Sequence, residues 1–389
     1  MSLSALAGRL PALLHSVFFT LLPGATVAGG LAVAPLLGAA GLASARPATW
    51  MGLRGQPAMW VFLAFALWAT LSSLWSPYPD HGQALRFSAT LALGLTFAAE
   101  PTGRRLAEAG GAAALLVMLG FLAIEAFAGL PFNRAIQPDT LDWVLARNPG
   151  RGASIYVVLV WPVLAALLAR GRWWRWGVAA VLGVGGAAIA GQFGMDANFS
   201  AFATGAVVFA FALIAPAPAT IIVFLSAGAW VMLAPWLTLP LLRFAESTAT
   251  LPHSWAVRGE VWRFAIARIE EQPWLGRGMD ASRAFTETIT VGGETMRALP
   301  LHPHSVSLHI WLETGAVGAV LAATALVVAG LTLGRRFAAR PAAAAASCAT
   351  LAAAFVLSNL SYGAWQEWWV ASLCVGVALV AAVPKAAKA

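Results

Sequence analysis

Long unbroken runs of apolar residues alternate with short polar segments along most of this 389-residue chain. Each run is about 20 residues long, which is the length that crosses the hydrocarbon core of a bilayer as a helix. The runs lack the alternation with a period of two that marks membrane β-barrel strands. Because only helices and closed barrels can span a membrane, the pattern predicts an all-α, polytopic integral membrane protein.

Twelve apolar runs can be separated along the sequence. They lie near residues 5–21, 24–43, 57–75, 82–99, 111–130, 152–169, 174–194, 198–215, 219–241, 304–333, 343–361 and 365–383. Arg9 precedes a long apolar stretch without a clear small-residue cleavage site, so we interpret the first run as a retained helix. We therefore expect about nine spans in 1–241, one large polar loop in 242–303 and about three spans in 304–389.

Composition and charge placement support a membrane class and predict its orientation. Hydrophobic residues make up 60% of the chain and charged residues 10%, with mean hydropathy +0.77, which excludes a soluble domain. With the N-terminus inside, most basic residues collect on the cytoplasmic side, as the positive-inside rule requires. They are Arg9, Arg46, Arg54, Arg104, Arg105, Arg170, Arg172, Arg175, Arg335, Arg336, Arg340, Lys385 and Lys388. The 242–303 loop then lies outside. The net charge of +8 reflects the basic residues of the inner face and does not indicate binding of nucleic acid.

No motif in the sequence supports a metal or cofactor site. CxxC, HExxH and a glycine-rich phosphate loop are all absent from the sequence. Cys348 and Cys374 both lie in apolar runs, where isolated thiols usually serve as small hydrophobic side chains. We therefore predict neither a metal nor a cofactor.

The polar loop contains one predicted amphipathic helix, residues 256–271. Trp262, Ala265, Ile266 and Ile269 share one side of it, and Pro273 ends it. Arg258 lies four residues before Trp262 and therefore on the same face. One interpretation is a substrate-binding helix. The alternative is an interfacial helix whose arginines reach the lipid headgroups.

Residues 301–305, Leu-His-Pro-His-Ser, precede the next apolar run. Proline suits the first turn of a helix, which predicts that Pro303 begins this helix and places His304 and Ser305 at its N-terminus. Free backbone N–H groups there attract anions such as phosphate and disfavour an imidazolium, so a neutral His304 could accept a proton. His309 and Glu313 follow with a spacing of four. The alternative is a hydrogen-bonded structural histidine.

These residues carry a resemblance to a known family. The stretch HPHSVSLHIWLETGAVGA resembles the His-Asn-x(2)-Leu-x(4)-Glu-x-Gly-x(2)-Gly signature of the O-antigen ligase and O-antigen polymerase superfamily. The matching positions are His304, Leu308, Glu313, Gly315 and Gly318. Upstream, the chain is similar to that family's Arg-x(3)-Trp…Pro-x-x-Gly-x-Gly stretch. The positions there are Arg258, Trp262, Pro273, Gly276 and Gly278. Arg151, in the polar segment 131–151, resembles the arginine-bearing start of a family helix.

The resemblance implies a metal-independent, inverting glycosyltransferase of the bacterial inner membrane with its active site facing the periplasm. Its donor would be a glycan carried on undecaprenyl diphosphate. Its acceptor would be lipid A-core in a ligase, or another carrier-linked glycan in a polymerase. Membrane lipids would be further partners. His304 and Glu313 would be catalytic. The expected diphosphate and substrate contacts are Arg258, Arg151, Arg263, Arg283, His302 and Ser305.

The sequence departs from the family pattern at two places. Ser305 replaces the signature asparagine, although a hydroxyl can also cap a helix. Relatives carry Ser-Arg near the start of the helix that follows Asp196, but this chain has no arginine between Arg175 and Arg243. If that arginine holds diphosphate in relatives, either Arg151 or Arg147 substitutes for it here or the activity is altered.

Other functions stay open at this level. The shared signature does not separate ligase from polymerase, and the compact outer loop favours a ligase. A transporter or flippase of lipid-linked glycan would place ionisable groups within the membrane, where Glu125 and Glu313 are the main candidates, or would show repeated halves. A scaffold without catalysis would not need His304 at a helix start.

Overall fold

The computed structural model describes residues 3–53 and 55–384. Arg54, Lys385 and Lys388, which we assigned to the cytoplasmic side, lie outside the described residues, as does the side chain of Arg104. The last predicted segment is therefore described only as far as residue 384.

Helices make up most of the described chain. In order they are α1 (Leu3–Val27), α2 (Val33–Ala43), α3 (Pro47–Leu53), α4 (Pro57–Ser72), α5 (Gly82–Ala99), α6 (Pro101–Phe127), α7 (Pro131–Ile136), α8 (Asp142–Leu145), α9 (Arg147–Leu168), α10 (Trp173–Ala190), α11 (Asp196–Ile214), α12 (Pro216–Thr248), α13 (His253–Glu271), α14 (Val306–Phe337), α15 (Pro341–Leu360) and α16 (Glu367–Ala381). Short 3₁₀ turns occupy Ser73–Trp75 and Ala281–Ala284.

Each of the twelve predicted apolar runs contains a helix. By length and composition, eight helical stretches in the described part of the chain could cross a membrane, whereas α2 and α16 are apolar but shorter. These helices support the all-α membrane class. The number of twelve crossings and the orientation of the large loop remain predictions.

Two groups of buried residues form the interior. The first surrounds α9, which packs against α1, α6, α10, α15 and α16. Small residues bring these helices close: a Cβ atom at Gly152 would lie 2.7 Å from the carbonyl oxygen of Thr26 in α1. The second group joins α4, α5, α12, α13 and α14 and includes buried residues of the large polar segment.

The polar segment is more structured than the sequence indicated. The predicted boundary at residue 242 falls inside α12, which continues to Thr248. Helix α13 begins at His253, three residues before the predicted start, and buries the predicted side around Trp262. That side packs against α14.

A β-hairpin follows, and the all-α prediction missed it. Strand β1 (Thr288–Val291) pairs antiparallel with β2 (Glu294–Arg297). Gly292 and Gly293 form the turn with φ of 59° and 87°, the backbone that glycine adopts most readily.

The start of α14 corrects one prediction. The helix begins at Val306 rather than at Pro303, because His304 has a left-handed φ of 53° and Ser305 is extended. Ser305 is the N-cap, and its Oγ accepts a hydrogen bond of 3.4 Å from the Leu308 N–H. Pro303 therefore precedes the helix instead of starting it.

Candidate functional site

Helix α14 is interrupted at Gly315. This residue has φ 63° and ψ −166°, a conformation that only glycine adopts at low cost. The Ala316 N–H, which has lost its helical partner, donates to the Pro273 carbonyl at 2.7 Å. A side chain at Gly315 would collide with the Trp274 carbonyl oxygen. The loop that follows α13 therefore fits directly against the break in α14.

The same loop satisfies the carbonyl groups on the other side of the break. The Arg277 N–H donates to the Leu312 carbonyl at 2.9 Å, and the Gly278 N–H donates to the Glu313 carbonyl at 2.8 Å. Broken helices are tolerated in membrane proteins only where freed backbone groups find new partners. This close approach gives a structural reason for glycine at 276 as well as at 315, because a Cβ atom at Gly276 would lie 2.5 Å from the Gly315 nitrogen.

Glu313 lies just before the break and is fully buried. Its carboxylate accepts hydrogen bonds from the Asp280 N–H (2.6 Å), the Ser282 N–H (2.9 Å), the Ser282 hydroxyl (2.6 Å) and the Trp365 indole N–H (2.6 Å). His309 Nε2 lies 3.0 Å from Glu313 Oε1. A carboxylate with this many donors has no free lone pair for a substrate. Its contacts join α14, the 280–282 turn and the α15–α16 loop.

One ring nitrogen of His304 is hydrogen-bonded and the other is free. Its Nδ1 lies 3.0 Å from the Ser361 carbonyl oxygen, which can only accept, so Nδ1 carries the proton of the neutral ring. Nε2 has no hydrogen-bond partner among the described residues. Burial, and to a smaller extent the charge of Arg258, lowers the pKa of His304 below its ordinary value. A neutral ring with a free Nε2 is the form that a general base requires.

The two neighbouring histidines lack a free ring lone pair, because Nδ1 of each accepts from a backbone N–H. His302 Nδ1 accepts from the His304 N–H at 3.1 Å, and the Gln366 side-chain nitrogen lies 3.1 Å from His302 Nε2. Burial drives the pKa of His302 well below its usual range. His309 Nδ1 accepts from the Ala364 N–H at 3.0 Å, so its neutral ring carries the proton on Nε2, beside Glu313. Of the three rings, His304 presents the available base.

Arg258 and Arg283 approach the histidines from different elements. Arg258 Nη1 donates to the Ser254 carbonyl at 3.2 Å, while its buried Nε has no partner in the described part of the protein. Burial lowers the pKa of Arg258, and the Asp196 carboxylate opposes this shift. The positive charge of Arg258 acts on His304, and that of Arg283 acts on His302.

Arg283 itself is anchored by a carboxylate. Its Nε donates to Asp280 Oδ1 at 2.7 Å, and its guanidinium lies 5.9 Å from the centre of the Tyr78 ring. Burial opposes its charge, but Asp280 and Tyr78 together raise the pKa of Arg283. The side chain is about a third exposed, so its remaining N–H groups are open to a ligand.

Arg151 and Arg263 have different surroundings. Arg151 lies within α9 rather than in a loop, and its charge reaches Tyr362. Arg263 donates to Glu246 at 2.7 and 2.8 Å and to Glu260 at 2.7 Å. These two carboxylates neutralise Arg263, and the pair with Glu246 joins α12 to α13.

Ser305 contacts a polar residue that the sequence analysis missed. Its hydroxyl donates to Asn359 Oδ1 at 3.2 Å, and the same oxygen accepts from the Ser307 N–H at 3.3 Å. Asn359 therefore brings a side-chain amide from α15 to the start of α14. Asn359 and the loop that follows it were hidden at the junction of two apolar runs. Their polar side chains were the available signal.

Within the described ranges, no group of three or more His, Cys, Asp or Glu side chains is placed to hold a metal ion.

The fold and this site define a helical membrane protein with a histidine flanked by arginines beside a broken helix. No protein-family model matches the chain. It is 32% identical over 133 residues to a protein of Rickettsia conorii, covering 32% of this chain and 30% of that protein. Proteins of Rickettsia felis (32% over 128 residues; 32% and 31% covered) and Rickettsia bellii (31% over 120 residues; 29% and 28% covered) are also similar. All three are named "putative polysaccharide ligase", and the similarity spans about a third of their length.

Proposed function

We propose that this chain is a membrane glycosyltransferase of the polysaccharide-ligase type. It moves a glycan from undecaprenyl diphosphate to a sugar hydroxyl at the periplasmic face of the bacterial inner membrane. The observation that carries the proposal is the free Nε2 of His304, in a tautomer fixed by the Ser361 carbonyl on the opposite ring nitrogen. The partial similarity to the three rickettsial proteins supports the same class of reaction.

The proposed step is a single displacement. The acceptor hydroxyl oxygen bonds to the anomeric carbon as the bond from that carbon to the diphosphate oxygen breaks. The hydroxyl proton passes to His304 Nε2, and the electron pair leaves with the diphosphate. Attack from the face opposite the leaving group inverts the anomeric centre. The imidazolium that forms keeps its hydrogen bond to Ser361.

Diphosphate binding is assigned to the arginines, which need no metal to neutralise the leaving group. A guanidinium binds phosphate oxygens through paired N–H groups. Arg258 is the first contact because its charge acts on His304 and its buried Nε lacks a protein partner in the described part of the chain. Arg283 is the second, and Arg151 the third. Arg263 ranks below these because two carboxylates already neutralise it.

Glu313 is proposed to position rather than to transfer protons. All of its hydrogen bonds come from protein groups, and its side chain is fully buried. His302 has a similar role, since it fixes the backbone of His304. Ser305 caps α14 and holds the residue after the base.

A transporter of lipid-linked glycan has less support. Its candidate ionisable groups were Glu125 and Glu313. Glu125 accepts from the Phe132 N–H at 2.7 Å and from the Asn133 side chain at 2.9 Å, so it closes the turn before α7. Both carboxylates therefore accept hydrogen bonds from the protein's own groups rather than binding a transported ion or substrate.

The cell's glycan profile separates ligase from polymerase. In a deletion strain, a ligase leaves carrier-linked polymer in place and removes the long chains attached to lipid A-core. A polymerase removes the polymer itself. We expect the first result, with restoration by the wild-type chain. An unchanged profile for both glycans would contradict either activity.

A further inference from the structure

The six-residue loop between α15 and α16, residues 361–366, contacts every histidine of the site. Two of its contacts come from the backbone. The Ser361 carbonyl accepts from His304 Nδ1 at 3.0 Å, and the Ala364 N–H donates to His309 Nδ1 at 3.0 Å. One backbone group is an acceptor and the other a donor. They therefore require opposite protonation at the Nδ1 atoms of the two rings.

Two further contacts come from the loop's side chains. The Gln366 amide lies 3.1 Å from His302 Nε2, and the Trp365 indole N–H donates to Glu313 at 2.6 Å. Gly363 lies directly against the His302 ring. A Cβ atom at this glycine would be 2.8 Å from His302 Cδ2 and 2.9 Å from Cγ. The loop passes too close to the ring for any larger residue.

The loop is itself fixed to the rest of the molecule. The Tyr362 hydroxyl lies 2.6 Å from Ser154 Oγ in α9, and burial raises the pKa of Tyr362 to about 12. The Gln83 side chain in α5 donates to the Trp365 carbonyl at 2.6 Å. Anchors on two helices hold the backbone groups of the loop in place, which is what a residue that orients a base needs.

We propose that residues 361–366 form a positioning loop that sets opposite tautomers on His304 and His309 and so selects His304 as the base. In this arrangement His304 is protonated on Nδ1 and presents Nε2, whereas His309 is protonated on Nε2 towards Glu313. The choice of base among three adjacent histidines then depends on two backbone groups outside the family signature. This inference rests on the proposed function only for its catalytic consequence.

The first test reads the tautomers directly and needs no substrate. Purified, detergent-solubilised protein with ¹⁵N-labelled histidine gives separate Nδ1 and Nε2 signals, and His304→Gln and His309→Gln assign them. We expect His304 as the Nδ1–H tautomer and His309 as the Nε2–H tautomer near neutral pH. The same tautomer on both rings would overturn the inference, whatever the activity of the protein.

The second test disturbs the loop. Gly363→Ala pushes against His302 and through it against the backbone of His304. We expect at least a tenfold loss of kcat, little change in KM for the donor, and a mixed tautomer at His304. The matched control is Gly183→Ala, because a Cβ at Gly183 meets nothing within 4 Å. It should leave turnover and tautomers unchanged.

The acid limb of the pH profile gives a third readout. Arg258 from α13 and His309 from α14 face His304, and Arg283 faces the neighbouring His302. Gly363→Ala leaves the two arginine charges and the neutral His309 ring in place, so a shifted acid limb reports a change in the hydrogen bonding of His304. Reduced kcat with an unchanged limb and unchanged tautomers would overturn the positioning role. Correct tautomers in a wild-type protein that transfers no glycan would instead overturn the proposed function and leave the loop assignment standing.

Discussion

At the scale of single residues, a substitution of Arg258 tests the proposed diphosphate contact. Lysine would keep its positive charge but lose the planar pair of N–H donors. We expect Arg258→Lys to reduce turnover by about 10- to 100-fold, the equivalent of a charged hydrogen bond worth about 1.5–3 kcal/mol. Membrane insertion and thermal unfolding should stay normal. Initial rates of glycan transfer in detergent measure the effect.

The same helix provides the control for that substitution. Arg268 also lies in α13 but pairs with Glu271 at 2.6 Å, and its charge is not among those that act on His302 or His304. Arg268→Lys should therefore transfer at the wild-type rate. Equal rates for the two lysine variants would reduce Arg258 to a residue that anchors an interfacial helix.

The protonation of His304 predicts a pH dependence. The free base is the active form, and burial together with Arg258 lowers the pKa of His304. Activity should therefore persist below neutral pH and fall as pH drops through this lowered pKa. Arg258→Gln removes a charge that disfavours the imidazolium, so the acid limb of its residual kcat should move to higher pH. A limb at the same pH in both proteins would show that Arg258 does not act on His304.

At the scale of elements, the break in α14 depends on Glu313 as well as on glycine. In Glu313→Gln, an amide NH₂ replaces one acceptor oxygen and faces N–H donors of the 280–282 turn or of Trp365. We expect a loss of about 1–3 kcal/mol in unfolding free energy from the broken buried hydrogen bonds, together with reduced transfer. Chemical denaturation in detergent measures the first and a transfer assay the second. Lost transfer at full stability would instead make Glu313 a proton-transfer group.

Individual elements show what could be read from the sequence. The apolar runs predicted the helices, and the resemblance drew attention to the stretches 258–278 and 304–318. The hydrogen bonds between the 273–278 loop and the break at Gly315 were not predictable, because residues 35 or 43 positions apart exchange backbone partners there. Hydrophobic periodicity is a property of one segment, so a loop that supplies hydrogen-bond partners to a distant helix leaves no periodic signal in the sequence.

The positioning loop and the hairpin were missed for different reasons. The loop at residues 361–366 is short and lies between two apolar runs, so the predicted spans 343–361 and 365–383 covered part of it. Its function comes from backbone groups, which no residue type reports. The hairpin had a usable signal in Gly292 and Gly293, since paired glycines favour a tight turn between strands. The membrane pattern around it led us to expect helices alone.

At the scale of the whole molecule, the orientation in the membrane can be tested with cysteine labelling. Cys348 and Cys374 are buried, so single new cysteines can be read against a low background. Thr295→Cys places a thiol on the exposed hairpin, and Ala339→Cys places one between α14 and α15. An impermeant maleimide should label Thr295→Cys on the periplasmic side and Ala339→Cys only after the membrane is opened. The reverse result would overturn the orientation and the periplasmic site together.

Glycan transfer by the purified protein shows whether His304 is the base. Purified protein is given a carrier-linked glycan and its acceptor, and transfer is measured alongside separate binding of the donor. We expect His304→Ala to lower the rate by about 10²- to 10⁴-fold while donor binding stays near that of the wild type. His302→Ala should lose less, because His302 only supports the backbone of His304. Normal transfer by His304→Ala with an inactive His302→Ala would show that the wrong histidine was chosen, and normal transfer by both would contradict acid–base catalysis at this site.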